Sequence, residues 1–539
     1  MKQYWIFYVL NSPFRLNPDA KELYLCAMPK FFPPHFRAIA QALEQIFKEG
    51  KYADRVVMET LKADKRRGSQ DRAFIAENTY DVVRNYRLLA YLAGDEPRDQ
   101  EDWWQLIGIR LMMKGKVLPK WHEFSRIHPR TIEKRLETAR KRRAIWESVP
   151  EWLDERAGRE LGDKWPVYLS ALNNQAPIFL RVNRLKTAAK QLAKQLAEVG
   201  AQTKVIGEET LLVKERKNLF NTAPFKEGLF EVQDLHSQRV VPALELKPGQ
   251  TLIDACAGAG GKTLHAASLM ANKGQIIALD TENWKLKDLR KRARRAGVQN
   301  IETRPITSTK VIKRLSGRAD RLLLDVPCSG MGVLRRNPDA KWKMTDEFIE
   351  RMRGTQQEIL QRYSRMLKPG GQMVYATCSI LPSENREQVD RFLASEAGKE
   401  FSLLKDESLA PQAKGGDGFY LAQLVKAATP AKEPIKKSAA AKTAKKKSTP
   451  AKADVSKPEK KSSKAKAKAD DLKKISGIGP KMAAILQTAG IQTYRQLAEV
   501  PSQELVKIIA SAGPRFKSVD PDKWKAEANQ LLKNKKAKN

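Results

Sequence analysis

Two cysteines stand fifty residues apart, and each closes an apolar run. Cys328 follows Leu322-Leu323-Leu324-Asp325-Val326-Pro327 and is succeeded by Ser329 and Gly330. Cys378 follows Met373-Val374-Tyr375-Ala376-Thr377. Upstream, a third run ends in Asp254 and passes into Ala255-Cys256-Ala257-Gly258-Ala259-Gly260-Gly261-Lys262-Thr263. Thiols at two strand ends beside a glycine-rich turn suit covalent chemistry on a planar ring, with a nucleotide-like cofactor alongside.

Carbon 5 of a pyrimidine is too weak a nucleophile to take a methyl group from a sulfonium directly. Addition of a thiolate at carbon 6 turns the ring into an enamine-like nucleophile. Methyl transfer, loss of the carbon-5 proton and elimination of the thiol then complete the cycle. A free thiol has a pKa of about 8.5, so positive charge is expected close by, from Lys262 or a helix N-terminus. The bland alternative is that Cys328 and Cys378 are ordinary buried cysteines.

The turn after Asp254 has glycines where backbone must approach a ligand, and the helix expected from about Lys262 offers free N–H groups. The next run ends in Asp280, where an acid commonly holds a ribose diol. A phosphate-cradling Gly-x-x-x-x-Gly-Lys-Thr loop would need glycine at position 256, which is Cys256. S-adenosylmethionine therefore fits this turn better than ATP. A purely structural tight turn is the alternative.

These pieces need a scaffold. Runs at 251–254, 275–280, 321–326 and 372–377 read as strands alternating with helices. Their continuous apolar character fits strands covered on both faces. The alternation predicts an α/β, Rossmann-like, doubly wound parallel sheet, whose ligand crevice lies at the carboxyl ends of the strands. All three motifs fall at such ends. Before the sheet, 177–230 reads as short strands around a helix that Gly200 ends, a small α/β subdomain. Earlier still, 36–143 has helical spacing, as in Ile39, Leu43, Ile46 and Phe47. Arg66, Arg67, Arg72, Arg84 and Arg87 accompany these helices, either as solvated surface or as RNA contacts.

The chain has 539 residues and a formal charge of +38. Fifteen Lys against four acidic residues in 426–470 account for +11, leaving +27 on the rest. A field of that sign attracts polyanions, nucleic acid above all. The 426–470 stretch has almost no large apolar side chain and is expected to be disordered. After it, Ser476-Gly477-Ile478-Gly479-Pro480-Lys481 resembles a helix-hairpin-helix turn, which implies amides facing a phosphate, with Lys473, Lys474 and Lys481 adding charge. A packing or protein-interaction module is the alternative. Four scattered cysteines with no Cys/His cluster give no metal site. The short apolar run 4–10 is a poor signal peptide, and a start at Met28 fits as well. No stretch is long enough to span a bilayer.

The motifs resemble the Sun-type, RsmB/RsmF-like RNA cytosine-5 methyltransferases. The resemblance rests on 254–263, Asp325–Gly332, Arg335–Asp339, Thr377–Ser379 and Pro382–Asn385, with Arg181–Asn183, Val232–Ser237 and Asp417–Tyr420 in support. It covers roughly 36–425, and DNA cytosine-5 enzymes fit less well because their second motif differs. It implies that Cys378 attacks carbon 6, that Cys328 assists product release and that Asp325 bonds the cytosine N3/N4 edge with Lys262 nearby. Cys256, Ala257, Gly258, Ala259, Gly260, Gly261 and Lys262 would wrap the methionine end of S-adenosylmethionine. Asp280 would hold the ribose, and Asp325 would also border the cofactor. The chain departs from the family at Gly258-Ala259, where Ala-Pro is usual. Arg304–Thr309 has no acid for the adenine, leaving Thr307 as candidate, and Arg386 stands where an acid is frequent.

Composition and the resemblance together divide the chain into six segments. An N-terminal extension spans 1–30 and a NusB-like helical RNA-binding domain 31–160. A small α/β subdomain follows at 161–243, then the methyltransferase domain at 244–426. The disordered linker is 427–470 and a helix-hairpin-helix-like domain 471–539. The expected protein is a cytoplasmic monomer acting on RNA, with no membrane partner. Small-subunit ribosomal RNA is the first expectation, tRNA the second, and an RNA-binding assembly factor without catalysis the alternative of another class.

Overall fold

The structure, a computed structural model, describes residues 31–428, 470–476, 478–511 and 520–536. The expected extension at 1–30 and nearly all of the 427–470 linker lie outside these residues. Two compact units divide the chain, the first within 31–428 and the second within 470–536.

The first unit begins with helices. Pro33–Phe47, Ala53–Ala63, Ser69–Ala93 and Gln100–Met113 enclose a core of Phe36, Leu43, Ile75, Leu89, Trp103 and Leu106. Apolar residues at helical spacing bury one stripe of each helix. The helical part continues beyond residue 160, because Lys164–Leu172 is also a helix. Its Trp165 and Leu169 pack with Met331, Leu334 and Ile380 from the loops of the large sheet.

A small antiparallel sheet follows, built from β1 (Phe179–Val182), β2 (Thr203–Val205), β3 (Thr210–Val213) and β4 (Phe230–Val232) in the order β2-β3-β1-β4. The helix Ala189–Glu198 covers it through Leu192 and Leu196.

The large sheet comprises β5 (Thr251–Asp254), β6 (Gln275–Asp280), β7 (Ile301–Pro305), β8 (Ala319–Asp325), β9 (Leu367–Thr377), β10 (Phe401–Leu409) and β11 (Phe419–Lys426). Its order is β10-β11-β9-β8-β5-β6-β7. Alternate residues serve opposite faces, as the two-residue strand period demands. Leu252, Ile276, Leu323 and Val374 enter one core, while Ile253, Ile277, Leu322 and Tyr375 enter the other. The chain steps outward through β6 and β7, then returns to β8 on the far side of β5. That reversal opens the crevice at the ends of β5 and β8.

The sheet is not wholly parallel. β11 runs antiparallel to β9, and β10 antiparallel to β11. The run expected at 321–326 starts at Ala319, and the one expected at 372–377 starts at Leu367. Two arginines proposed for RNA contact are engaged internally. Arg84 Nη2 donates to Arg335 O at 2.9 Å, and Arg87 Nη2 meets Glu151 Oε2 at 2.5 Å.

The second unit packs helices Pro480–Thr488, Tyr494–Glu499, Ser502–Ser511 and Pro521–Lys536 around Leu472, Ile475, Met482, Leu486, Leu497 and Trp524. The Ser476 amide, expected to face a phosphate, donates to Glu527 Oε2 at 2.6 Å. The side chains of Lys473 and Lys481 lie outside the described residues.

Candidate functional site

β5 delivers Asp254 to the crevice, and the chain must reverse at once to enter the helix Gly261–Leu269. Gly260 makes the reversal with φ 88°, and a Cβ there would stand 2.5 Å from Leu289 Cγ. Only glycine meets both demands. The turn is held from every side. Ala257 N donates to Leu279 O at 2.9 Å and Gly258 N to Asp280 Oδ2 at 2.8 Å. Ala259 O accepts from Arg292 Nη1, and Gly261 O from Arg181 Nη1, both at 2.7 Å. Arg181 is buried, which lowers its guanidinium to about 10.

Asp254 is buried. Its Oδ2 accepts from Thr263 Oγ1 at 2.7 Å, and its Oδ1 has no hydrogen-bond partner among the described residues. Burial, with the Asp325 charge adding to it, pushes the carboxyl up to about 7 against the Thr263 hydrogen bond. Cys256 is half-buried beside it, and burial and the Asp254 charge raise its thiol. Asp280 Oδ1 accepts from Glu282 N at 2.7 Å.

Lys262 reaches from the first turn of the helix to Asp325 at the end of β8, Nζ to Oδ2 2.7 Å. Burial alone would lower its ammonium. The attraction and hydrogen bond of Asp325, with the charges of Cys378 and Asp254, hold it above its ordinary value. The face of Phe419 lies 5.5 Å from Nζ. The two thiols meet, Cys328 Sγ to Cys378 Sγ 3.3 Å, and both are half-buried. The hydrogen bond to Cys378 and burial hold the Cys328 thiol well above its usual range. The predicted catalytic residues and Lys262 thus converge where β5, β8 and β9 end.

The support under the thiols was only partly visible in the sequence. Glu384 is buried and accepts from Ser329 N at 2.7 Å, from Ser329 Oγ and from Gln356 Nε2 at 3.0 Å. Gln356 also donates to Pro327 O at 3.0 Å. One carboxylate therefore fixes both sides of Cys328. Its place two residues after Pro382 was a signal; Gln356 had none. On the other thiol, Thr377 Oγ1 donates to Asn385 Oδ1 at 2.5 Å, and Asn385 Nδ2 to Ser379 O at 3.1 Å. Gly332 N donates to Cys378 O at 2.9 Å, and Gly418 N to Gly332 O at 2.8 Å. Arg335 and Arg336 both pair with Asp417, and Arg336 also reaches Asp234 at 2.9 Å.

Thr307 is exposed, its amide donating to Pro305 O at 3.1 Å. Arg386, puzzling in the sequence, pairs with Asp390 at 2.8 Å and with Asp406 of β10 at 3.3 Å. It therefore belongs to the antiparallel edge.

Among known families, the RsmB/F 16S rRNA methyltransferase description matches residues 241–425. The RsmF/B-like ferredoxin-like domain matches 149–217, and the RS2/RL21/YNQ2 HHH domain matches 472–532. A "Probable ribosomal RNA small subunit methyltransferase B" from Synechocystis sp. is 36% identical over 299 residues, spanning 52% of this chain and 67% of that protein. The ribosomal RNA small subunit methyltransferase B of Erwinia tasmaniensis is 35% identical over 286 residues, spanning 51% and 66%. The curated relatives are thus matched over about two thirds of their length. Among solved structures, the crystal structure of PH0851 superposes with a TM-score of 0.62 at 26% identity, covering 74% of this chain and 100% of that one.

Proposed function

The chain belongs to the RsmB/F family of S-adenosylmethionine-dependent RNA methyltransferases, and from that premise we propose that it methylates carbon 5 of a cytosine in small-subunit ribosomal RNA through a bond from Cys378 to carbon 6. The observation that carries this reading is the 3.3 Å approach of Cys328 and Cys378 beside the Lys262–Asp325 pair.

The residues present suit S-adenosylmethionine. Nothing lies within 4 Å of the space a Cβ on Gly258 would fill, so the turn is open to a ligand. The orphaned Asp254 Oδ1 is a buried acceptor at its foot. Each Asp280 oxygen accepts one amide and keeps a lone pair for a ribose hydroxyl. Residues 256–262 would hold the methionine end and Asp280 the ribose. When bound, the cofactor supplies an electrophilic methyl carbon.

The chain's own residues do the rest. Cys378 adds its sulfur to carbon 6, and the ring's electrons move towards carbon 5. Asp325 gives one oxygen to Lys262, and the other faces the cytosine edge as acceptor for the 4-amino group. Lys262 supplies the positive charge that favours a thiolate nearby and a donor for the ring. After methylation water takes the carbon-5 proton, and the electrons of that bond re-form the carbon 5–carbon 6 double bond. The carbon 6–sulfur bond breaks, and Cys328, held as a thiol 3.3 Å from Cys378, donates its hydrogen bond to the departing sulfur. An RNA substrate of this kind fits a monomer working in the cytoplasm. A factor without catalysis is disfavoured, since the turn, the acids and both thiols are all in place.

Cys378→Ala is expected to abolish methyl transfer. Cys328→Ala is expected to retain RNA as a covalent adduct that survives denaturing electrophoresis. Methyl transfer by the Cys378 variant would sink the assignment of the nucleophile, and bisulfite mapping of 16S rRNA locates the product.

A further inference from the structure

The helix Asn283–Ala296 carries seven Lys or Arg residues and one acid, Asp288. Its inner face is fully used. Leu286, Leu289 and Ala293 are buried, and Arg292 and Arg295 reach the buried Glu231 at 2.9 and 2.5 Å. The outer face is different. Trp284, Lys287, Lys291 and Arg294 are all exposed, and their spacing of three, four and three places them on one stripe about 15 Å long. Among the described residues, neither Lys287 nor Arg294 makes an ion pair or side-chain hydrogen bond. Lys291 has only Asp288 at 3.4 Å.

Helix stability does not explain this stripe. Arg294 suits the negative end of the helix, but Lys285 and Lys287 sit at the positive end, where the first turn has no acid. Trp284 is 55% exposed, its Nε1 donates to Glu282 Oε2 at 2.7 Å, which fixes the ring, and Lys285 Nζ stands 5.7 Å from the ring centroid, over one face. A local rule broken without structural gain marks a functional surface. The stripe starts four residues after Asp280. It is also locked to the cofactor turn through Leu289 against Gly260 and Arg292 on Ala259 O.

We infer that this face is a second RNA-binding track, on which Trp284 stacks a base and Lys287, Lys291 and Arg294 hold successive phosphates of the strand leading away from the crevice. Commensurate cations beside an aromatic platform suit a single strand. The track rests on the proposed function only in taking RNA as the polyanion.

The test uses the full chain and protein-free 16S rRNA, with affinity measured between about 0.05 and 0.2 M salt. Lys287→Gln/Arg294→Gln is expected to weaken binding about tenfold and make the log–log salt slope shallower by about 1.4, the value for two phosphates of a single strand. Trp284→Ala is expected to weaken binding about tenfold with the slope unchanged. S-adenosylmethionine affinity stays unchanged in each. Lys190→Gln/Lys194→Gln makes the same charge change on exposed residues of the helix Ala189–Glu198, which covers the small sheet, and is expected to leave the slope unaltered. An unaltered slope and affinity in the first variant, or an equal change in the control, would overturn the track. Failure of the parent protein to methylate RNA would overturn the proposed function while leaving this comparison readable.

Discussion

Asp254 shows how one buried residue ties the site to solution conditions. Its carboxyl is pushed up to about 7, chiefly by burial. In the unfolded chain it titrates near 4. Between those values the folded chain holds a proton that the unfolded chain has released, so this residue makes stability fall as pH rises from about 4 to about 7. Asp254→Asn removes the titration. The melting temperature of the wild type relative to that variant is therefore expected to decline steadily across this window in thermal scans. Parallel curves would show that Asp254 is ionised throughout. Lys262 behaves oppositely, since Asp325 outweighs burial and keeps its ammonium charged. Beside a thiol pair, a fixed cation and a carboxyl poised near neutrality are the perturbed groups expected of a reactive site.

At the scale of elements, catalysis depends on how closely two strand ends can approach. Gly332 is the point of contact. A Cβ there would lie 2.1 Å from Gly418 O and 2.8 Å from Cys378 O, so backbone would have to move. Gly332→Ala is expected to lower kcat by about a hundredfold, the usual penalty for a misplacement near 1 Å, with S-adenosylmethionine affinity unchanged because the 254–263 turn is not touched. An unchanged kcat in steady-state assays would show that the loops absorb the methyl group. β5, β6, β8 and β9 were legible in the sequence because each is a continuous apolar run buried on both faces. β10 was not, because its Ser402, Lys405 and Glu407 interrupt the pattern and its pairing with β11 shifts register between Leu403 and Lys405. The thiols, the turn and Asp325 were legible as strand-end chemistry. Glu384 was legible only as a member of Pro382–Asn385 and Gln356 not at all, because a buried anchor reveals its role only when the loop it anchors is in view.

Across the whole first unit, the catalytic loops are fastened to the helical part through a defect in a helix. Ser69–Ala93 leaves helical geometry at Asn85, whose φ is −108° and ψ 18°, and Asn85 Nδ2 donates to the Asp81 carbonyl oxygen at 2.8 Å. The kink turns two carbonyls outward. Lys341 Nζ donates to Arg84 O at 2.7 Å, and Trp342 Nε1 donates to Val83 O at 2.8 Å. Both donors come from the segment that begins with Arg335 and Arg336, which pair with Asp417 beside β11. One short segment therefore links the helical core to the loops around Cys378. Lys341 is buried with no acidic partner in an ion pair among the described residues, and burial depresses its ammonium well below the ordinary value. Trp342→Phe keeps the ring that packs against Tyr86 and Phe47 but removes the donor. The Val83 carbonyl then remains turned out of its helix with no partner, a loss of about 1–3 kcal/mol. Denaturant unfolding should register this as a lower midpoint with an unchanged slope, because the surface exposed on unfolding is the same. A midpoint equal to wild type would mean that water replaces the indole and that apolar packing alone holds the segment in the kink.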